Sequence, residues 1–387
     1  MTQLFDQHLR GDRTIWMVAL FLGLVSLLAV YSSIASLAFK YEGGSTFHFL
    51  LKHGTMLATG GLIMYYAHRL KYGAYARIGQ MLFWATAALL LVTLLIGTNL
   101  NDASRWLRIP VIGQSFQTSD LAKVVLIVYL ARVLHKHPEE VRTFRGLLLH
   151  AMLPVGVICG LILPANFSTA ALLFSVCFVM LFIGGARLRH LLAVLLLAAV
   201  SFALLMVLAK ALPGLLPRMD TWLMRIESFG TPDHESNYQV EHAKIAIASG
   251  GLLPNGPGSG VSRNFLPHPY SDMIYAFIVE EYGSILGGLG LLLLYLILLG
   301  RVVVTATRCT KVFGSLMAIG LGLSLVMQAM VNMAVAVNLV PVTGQPLPLV
   351  SMGGTSIWFT CLSIGMILSV SRECSSGKND GKEHGDT

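Results

Sequence analysis

Long apolar runs alternate with short polar joints from one end of the chain to the other. Runs long enough to cross a hydrocarbon layer of about 30 Å as helices fall at 15–37, 49–67, 78–97, 119–134, 147–163, 169–184, 191–209, 273–299, 312–340 and 351–371. Ten spans are an even number, so both termini lie on one side. The expected fold class is therefore an all-α polytopic membrane protein of ten transmembrane helices. A tail at 1–14 precedes a single membrane domain at 15–371, a polar and disordered tail occupies 372–387, and a large loop at 210–271 separates spans 7 and 8.

Composition supports the pattern. Hydrophobic residues make up 55% and charged residues 12%, against roughly 25% charged in soluble domains, and mean hydropathy is +0.71. A soluble globule is excluded. Most of the 27 Lys and Arg residues gather in the tails and in alternate joints, which marks those segments as cytoplasmic. The net charge of +8 thus reports topology and is no sign of a nucleic-acid partner. The first apolar run is too long for a signal-peptide core and reads as an uncleaved first helix.

A few basic residues fall on the disfavoured, extracytoplasmic side. Lys52, followed by His53 at the start of span 2, can snorkel to headgroups or contact an anionic lipid head. In the third joint Arg105 adjoins Trp106, with Arg108 close by. Trp suits an interfacial anchor, but the charge bias favours a functional reason for these arginines. Span 4 opens with Gln117, Ser119, Asp120 and Lys123. Ser119 can cap the helix, and Asp120 and Lys123, three apart, share a face as an ion pair. Ionisable groups inside spans face a bundle interior or a watery cavity. Between spans 5 and 6, Pro164, Asn166, Ser168 and Thr169 form a tight turn.

The long loop holds the densest chemistry. Apolar residues interleaved with Arg218, Trp222 and Arg225 suit an interfacial segment. From Tyr238 to Ala248, apolar Val240, Ala243, Ile245 and Ala246 alternate with Gln239, Glu241 and Lys244, the pattern of a short helix half-sunk in the outer leaflet. Gly256, Gly258 and Gly260 then make a mobile loop that carries Arg263 beyond it. No strand precedes these glycines, so a dinucleotide fingerprint is excluded. Asp272 stands where this loop becomes span 8. Glu280 lies about 12 Å further along that helix and Glu281 faces elsewhere, so neither forms a carboxylate dyad with Asp272. The last extracytoplasmic joint, with Pro341, Pro346, Pro348, Gly344, Gly353 and Gly354, is irregular backbone that must be buried in protein or line a cavity.

In their order along the chain, several motifs match one family. They are Ala103-x-Arg105-Trp106, Gln117-x-Ser119-Asp120-x-x-Lys123, Asn166-Phe167-Ser168-Thr169 and Tyr238-Gln239, then Leu266-Pro267 leading to Asp272, Glu280-Glu281-x-Gly283 and Pro341-Val342-Thr343-Gly344 with Ser351 and Ser356. The chain resembles the SEDS proteins, ten-span peptidoglycan glycosyltransferases, over essentially its whole length, and the division-type (FtsW-like) branch more than the elongation-type (RodA-like) branch. The resemblance implies a bacterial cytoplasmic (inner) membrane enzyme that polymerises lipid II, a disaccharide-pentapeptide on undecaprenyl pyrophosphate. Its implied partners are a class B penicillin-binding protein transpeptidase, other divisome proteins and membrane lipids. By the same resemblance Asp272 is the catalytic residue.

Substrate binding is expected from Lys52, Arg105, Gln117, Ser119, Asp120, Lys123, Asn166, Tyr238, Gln239, Lys244, Arg263, Ser351 and Ser356. Asp120 replaces a more usual Glu, Asn166 a common Asp, His268 a usual Glu, and Lys52-His53 a usual Arg-Gln. The expected chemistry has Asp272 deprotonate the acceptor 4-hydroxyl while Arg105, Lys123 and Lys52 stabilise the departing pyrophosphate. Mg or Mn is compatible with that leaving group, but no ligand cluster specifies a metal. Two rival readings are a lipid II flippase, disfavoured by the one-sided polar constellation and the lack of an inverted repeat, and a non-catalytic division scaffold.

Overall fold

The computed structural model describes residues 9–33, 46–96, 98–100, 103–108, 115–211, 221–222, 224–225, 229, 238–262, 265 and 270–383. Among the described residues, seven helices are long and apolar enough to cross a membrane. These are α1 (Arg13–Ser33), α3 (Tyr72–Ile96), α6 (Phe144–Ile162), α8 (Leu188–Ala211), α10 (Ile274–Arg308), α11 (Val312–Ala336) and α12 (Ser356–Glu383). The chain is a multi-pass membrane protein. Helices also occupy α2 (Thr46–Arg69), α4 (Thr118–Lys136), α5 (Pro138–Val141), α7 (Phe167–Ile183) and α9 (Tyr238–Ser249). Of these, α7 is apolar but short, while α2 and α4 carry polar groups such as Lys52, His53, Asp120 and Lys123 within the helix.

One segment departs from the expected all-α pattern. The third joint folds into a three-stranded antiparallel sheet of β1 (Thr98–Leu100), β2 (Ala103–Arg108) and β3 (Ser115–Gln117). Trp106 pairs with Thr98 on one side and Gln117 on the other, and β3 runs directly into α4. Backbone groups of an irregular joint would otherwise need water or other partners, and the ladder satisfies them locally.

Two compact units emerge from the packing. The first comprises residues 1–70, 225–305 and 325–387, the second residues 71–224 and 306–324. In the second, α4 is buried on nearly every side. Gly79 lies against Val128, Gly320 against Ile127 and Met180, and Phe83 stacks on Tyr129 at 4.3 Å. A helix enclosed this way needs no lipid-facing stripe, which explains how α4 tolerates charges near its start. In the first unit α12 packs along α2, and α10 is interrupted at Gly283 (φ 73°, ψ 164°), followed by a π-helical stretch Gly283–Leu289. This break divides α10 into two helical parts.

Two expectations for the long loop are corrected. Much of the apolar side of α9 is covered by protein: Val240, Ala243 and Ala246 form one core with Met273, Ala276, Val335 and Ala336, while Ile245 stays exposed. The glycine segment is not loose either. Glu280 Oε1 accepts the Val261 and Ser262 amides at 2.9 and 3.2 Å, and Glu281 Oε1 accepts the Gly258 amide at 2.8 Å. The Glu281 carbonyl accepts the Asn255 and Gly256 amides, each at 3.0 Å. Gly250 seats the segment against α10, since a Cβ there would come within 2.2 Å of the Val279 carbonyl oxygen. Two adjacent buried carboxylates thus hold the loop through charge-assisted bonds to backbone amides.

Candidate active site

Asp272 lies half-buried in the turn that precedes Ile274, the first residue of α10. Three consecutive carbonyls in this turn are each held, one from α11 and two from the segment between α11 and α12. Tyr270 accepts from the Met352 amide at 2.9 Å, Ser271 from the Ser351 hydroxyl at 2.6 Å, and Asp272 from the Asn332 side-chain amide at 2.7 Å. Asn332 spends its second amide hydrogen on the Gln345 carbonyl at 2.8 Å, and Ser351 Oγ also accepts the Leu347 amide at 2.7 Å. The backbone beneath Asp272 is therefore fixed at three successive residues.

The segment that does this is itself irregular, with Asn338 and Leu349 at positive φ. Its carbonyls are met by side chains: Val342 by Arg225 at 3.0 Å, Pro346 by Gln328 at 2.8 Å, Pro348 by Tyr295 at 2.5 Å and Val350 by Ser26 at 2.7 Å. Non-helical backbone at membrane depth persists only when protein supplies such partners. Ser26 Oγ in turn accepts from His53 Nε2 at 2.8 Å, so the hydroxyl donates to a carbonyl and receives from an imidazole.

Leu349 also lines an apolar groove of about 580 Å³ with Trp16, Leu20, Leu24, Leu57 and Tyr65 of α1 and α2. Its polar lining is slight, as suits a hydrocarbon chain.

In the second unit, Lys123 Nζ lies 2.8 Å from Asp120 Oδ1, both side chains nearly buried. Asp120 Oδ2 has no hydrogen-bond partner among the described residues. Burying such a pair carries a desolvation cost that the mutual attraction and further contacts must offset. The expected Ser119 cap is absent: Gln117 is the N-cap residue without a side-chain cap bond, and its Nε2 donates to Ser119 Oγ at 3.0 Å. Asn166 caps α7 by accepting the Thr169 amide at 3.3 Å. It shares a small cavity of about 20 Å³ with Thr118 and Ser119.

The chain matches the cell cycle protein family FtsW/RodA/SpoVE over residues 12–376. It is a member of that family. It is 34% identical over 340 residues to a probable peptidoglycan glycosyltransferase FtsW of Nitrosococcus halophilus, covering 85% of this chain and 84% of that one. A probable FtsW of Coxiella burnetii is 32% identical over 367 residues, with 92% and 96% covered. Among solved structures, a chain from work on "structural coordination of polymerization and crosslinking by a peptidoglycan synthase complex" superposes with a TM-score of 0.68 at 26% identity, covering 91% of this chain and 97% of that chain.

Within this family member the expected site residues fall in several places. Asp272 and Ser351 come together through the Ser271 carbonyl. Gln117, Ser119, Asp120, Lys123 and Asn166 gather where β3 meets α4. Arg105 lies on β2 next to Trp106, the partner of Gln117, and so sits at the start of α4 by register. Tyr238 donates to the Phe265 carbonyl at 3.2 Å, Gln239 is half-buried and Lys244 is exposed, all on α9. Lys52 is exposed on α2, and Ser356 is buried at the start of α12. Arg263, like His268, lies outside the described residues.

Asn332, Gln328, Ser26 and His53 escaped notice as supports of the site. Polar residues within otherwise apolar runs were the available signal, because each must find an internal partner in a membrane.

Proposed function

We propose that Asp272 is the general base of glycan polymerisation, taking the proton from the 4-hydroxyl of an acceptor sugar as it attacks the anomeric carbon of a lipid-linked donor. The new glycosidic bond forms as the bond to pyrophosphate breaks, and undecaprenyl pyrophosphate leaves. The chain is a division-type peptidoglycan glycosyltransferase, as its relatives' names and family membership indicate. The observation that carries the role of Asp272 is its triply anchored backbone. A base is useful only when held within a fraction of an ångström of the group it deprotonates.

Other assignments follow from chemistry. Lys123, Arg105 and Lys52 are the proposed cations for the pyrophosphate, with Gln117, Ser119 and Asn166 as hydrogen-bonding groups. Tyr238, Gln239, Lys244 and Arg263 are proposed to meet the sugar and peptide portions. Ser351 has its hydroxyl committed within the protein and acts by positioning Asp272, while Ser356 is proposed as a contact at the start of α12. Mg or Mn, if bound at the pyrophosphate, would find in Asp120 Oδ2 an uncommitted carboxylate oxygen, and one carboxylate with substrate phosphates is a usual Mg set.

The groove bordered by Leu349 supports a polyprenyl substrate. We place the ten spans as one domain in the bacterial inner membrane, both termini cytoplasmic, working with a class B transpeptidase, divisome proteins and lipid II. Fluorescent lipid II incubated with the purified protein and its transpeptidase tests the reading: strands should form with the native chain and vanish with Asp272→Asn. Undiminished strands from the variant would remove Asp272 from the reaction.

A further inference from the structure

At the far end of α4 from Asp120 and Lys123, three metal-binding side chains converge. His137 follows α4, Glu140 lies on α5 and His150 on the π-helical stretch Leu147–Met152 of α6. His137 Nδ1 and His150 Nε2 stand 3.0 and 3.1 Å from the same oxygen, Glu140 Oε2. All three ligand atoms lie within 4.8 Å of one another, and the two rings stack at 5.1 Å. We propose that His137, Glu140 and His150 bind one divalent transition-metal ion such as Zn²⁺, with water completing the coordination.

Spacing supports this. Ligands about 2.0–2.1 Å from a common ion, at angles between octahedral and tetrahedral, stand roughly 2.9–3.4 Å apart, which brackets both nitrogen-to-oxygen distances. The tautomer supports it too. His150 Nδ1 lies 3.2 Å from the Gly146 carbonyl, which can only accept, so Nδ1 carries the hydrogen and Nε2 is left to face the carboxylate oxygen. A backbone carbonyl behind the ring is the usual outer support of a ligating histidine.

The surroundings are built to hold the group. Thr143 Oγ accepts the Gly146 amide at 3.1 Å, and Gly146 permits the close approach of α5, since a Cβ there would lie 2.1 Å from the Glu140 carbonyl oxygen. The neighbouring Glu139 is engaged with Arg142 at 2.7 Å. All three ligands are partly solvent-accessible, which gives an ion entry. Two imidazoles and a carboxylate favour Zn²⁺, Ni²⁺ or Co²⁺ over Mg²⁺.

The test uses the full chain in detergent, purified on a tag without histidine and stripped with chelator. Zn²⁺ is titrated calorimetrically and Co²⁺ by its visible absorption. One equivalent should bind in the micromolar range. His150→Ala and Glu140→Gln should each weaken binding by at least about tenfold, while His48→Ala leaves it unchanged. Circular dichroism checks that the variants remain folded. Absence of Zn²⁺ binding to the native chain, as expected of a cluster joined by a proton alone, would overturn the proposal. So would equal binding by all four proteins.

Discussion

Two polar assemblies in this protein are built by opposite means. The Asp120–Lys123 pair is made within one turn of one helix, from residues three apart. The Asp272 turn is held by residues 60 and 80 positions away, through Asn332 and Ser351. The local pair keeps its geometry wherever α4 is helical, so its cost is that of burying charge. The distant assembly keeps its geometry only while α10, α11 and the segment before α12 are packed together, so its cost is that of ordering many residues. The geometry of the Asp272 turn is thus entrusted to backbone carbonyls fixed by remote side chains, and the buried ion pair to a single regular helix.

The sharpest way to break this contrast is Asp272→Asn. Strand synthesis from lipid II should fall by about 10²–10⁴-fold, with the melting temperature in detergent unchanged. A large drop in melting temperature would show that the carboxylate serves the fold instead.

Next comes Lys123→Met, which leaves Asp120 buried without its cation and should destabilise the protein by about 3–5 kcal/mol. Adding Asp120→Asn should recover most of that loss. If the single variant unfolds no earlier than the native chain, the pair is not buried as described.

Asn332→Leu strips the Asp272 and Gln345 carbonyls of a donor. Leaving a buried carbonyl unsatisfied costs about 1–3 kcal/mol. Turnover should fall roughly tenfold to a hundredfold while KM for lipid II holds. A change confined to KM would mean that Asn332 serves substrate binding and not the placement of Asp272.

The smallest effect belongs to Asn166→Ala. Loss of the α7 cap should cost about 1 kcal/mol and loss of a hydrogen bond to the substrate should raise KM for lipid II about tenfold or less; an unchanged KM would confine Asn166 to capping α7.

Much of this was legible in residues that act locally. Apolar runs marked most of the helices, the i,i+3 spacing gave the Asp120–Lys123 pair, and the prolines and glycines of 341–354 announced a buried irregular segment. The sheet around Arg105 was not legible, because strands of three to six residues carry too little alternation to separate from a polar joint. Nor was the ordered glycine segment. Its glycines look permissive in sequence, and only the fold shows the amides at 258, 261 and 262 aimed at Glu280 and Glu281. His150 could not be joined to His137 and Glu140 without the π-helical turn that faces it toward them.

Two of the three serines of α1 carry one more consequence. Ser26 reaches the Val350 carbonyl and Ser32 reaches Glu281, so the first helix is pinned at two heights against different neighbours. Adding one residue between them would swing one hydroxyl about 100° around the axis, and neither piston-like sliding nor rotation could restore both. When bilayer thickness changes, the lipids around α1 must therefore stretch or thin to match it.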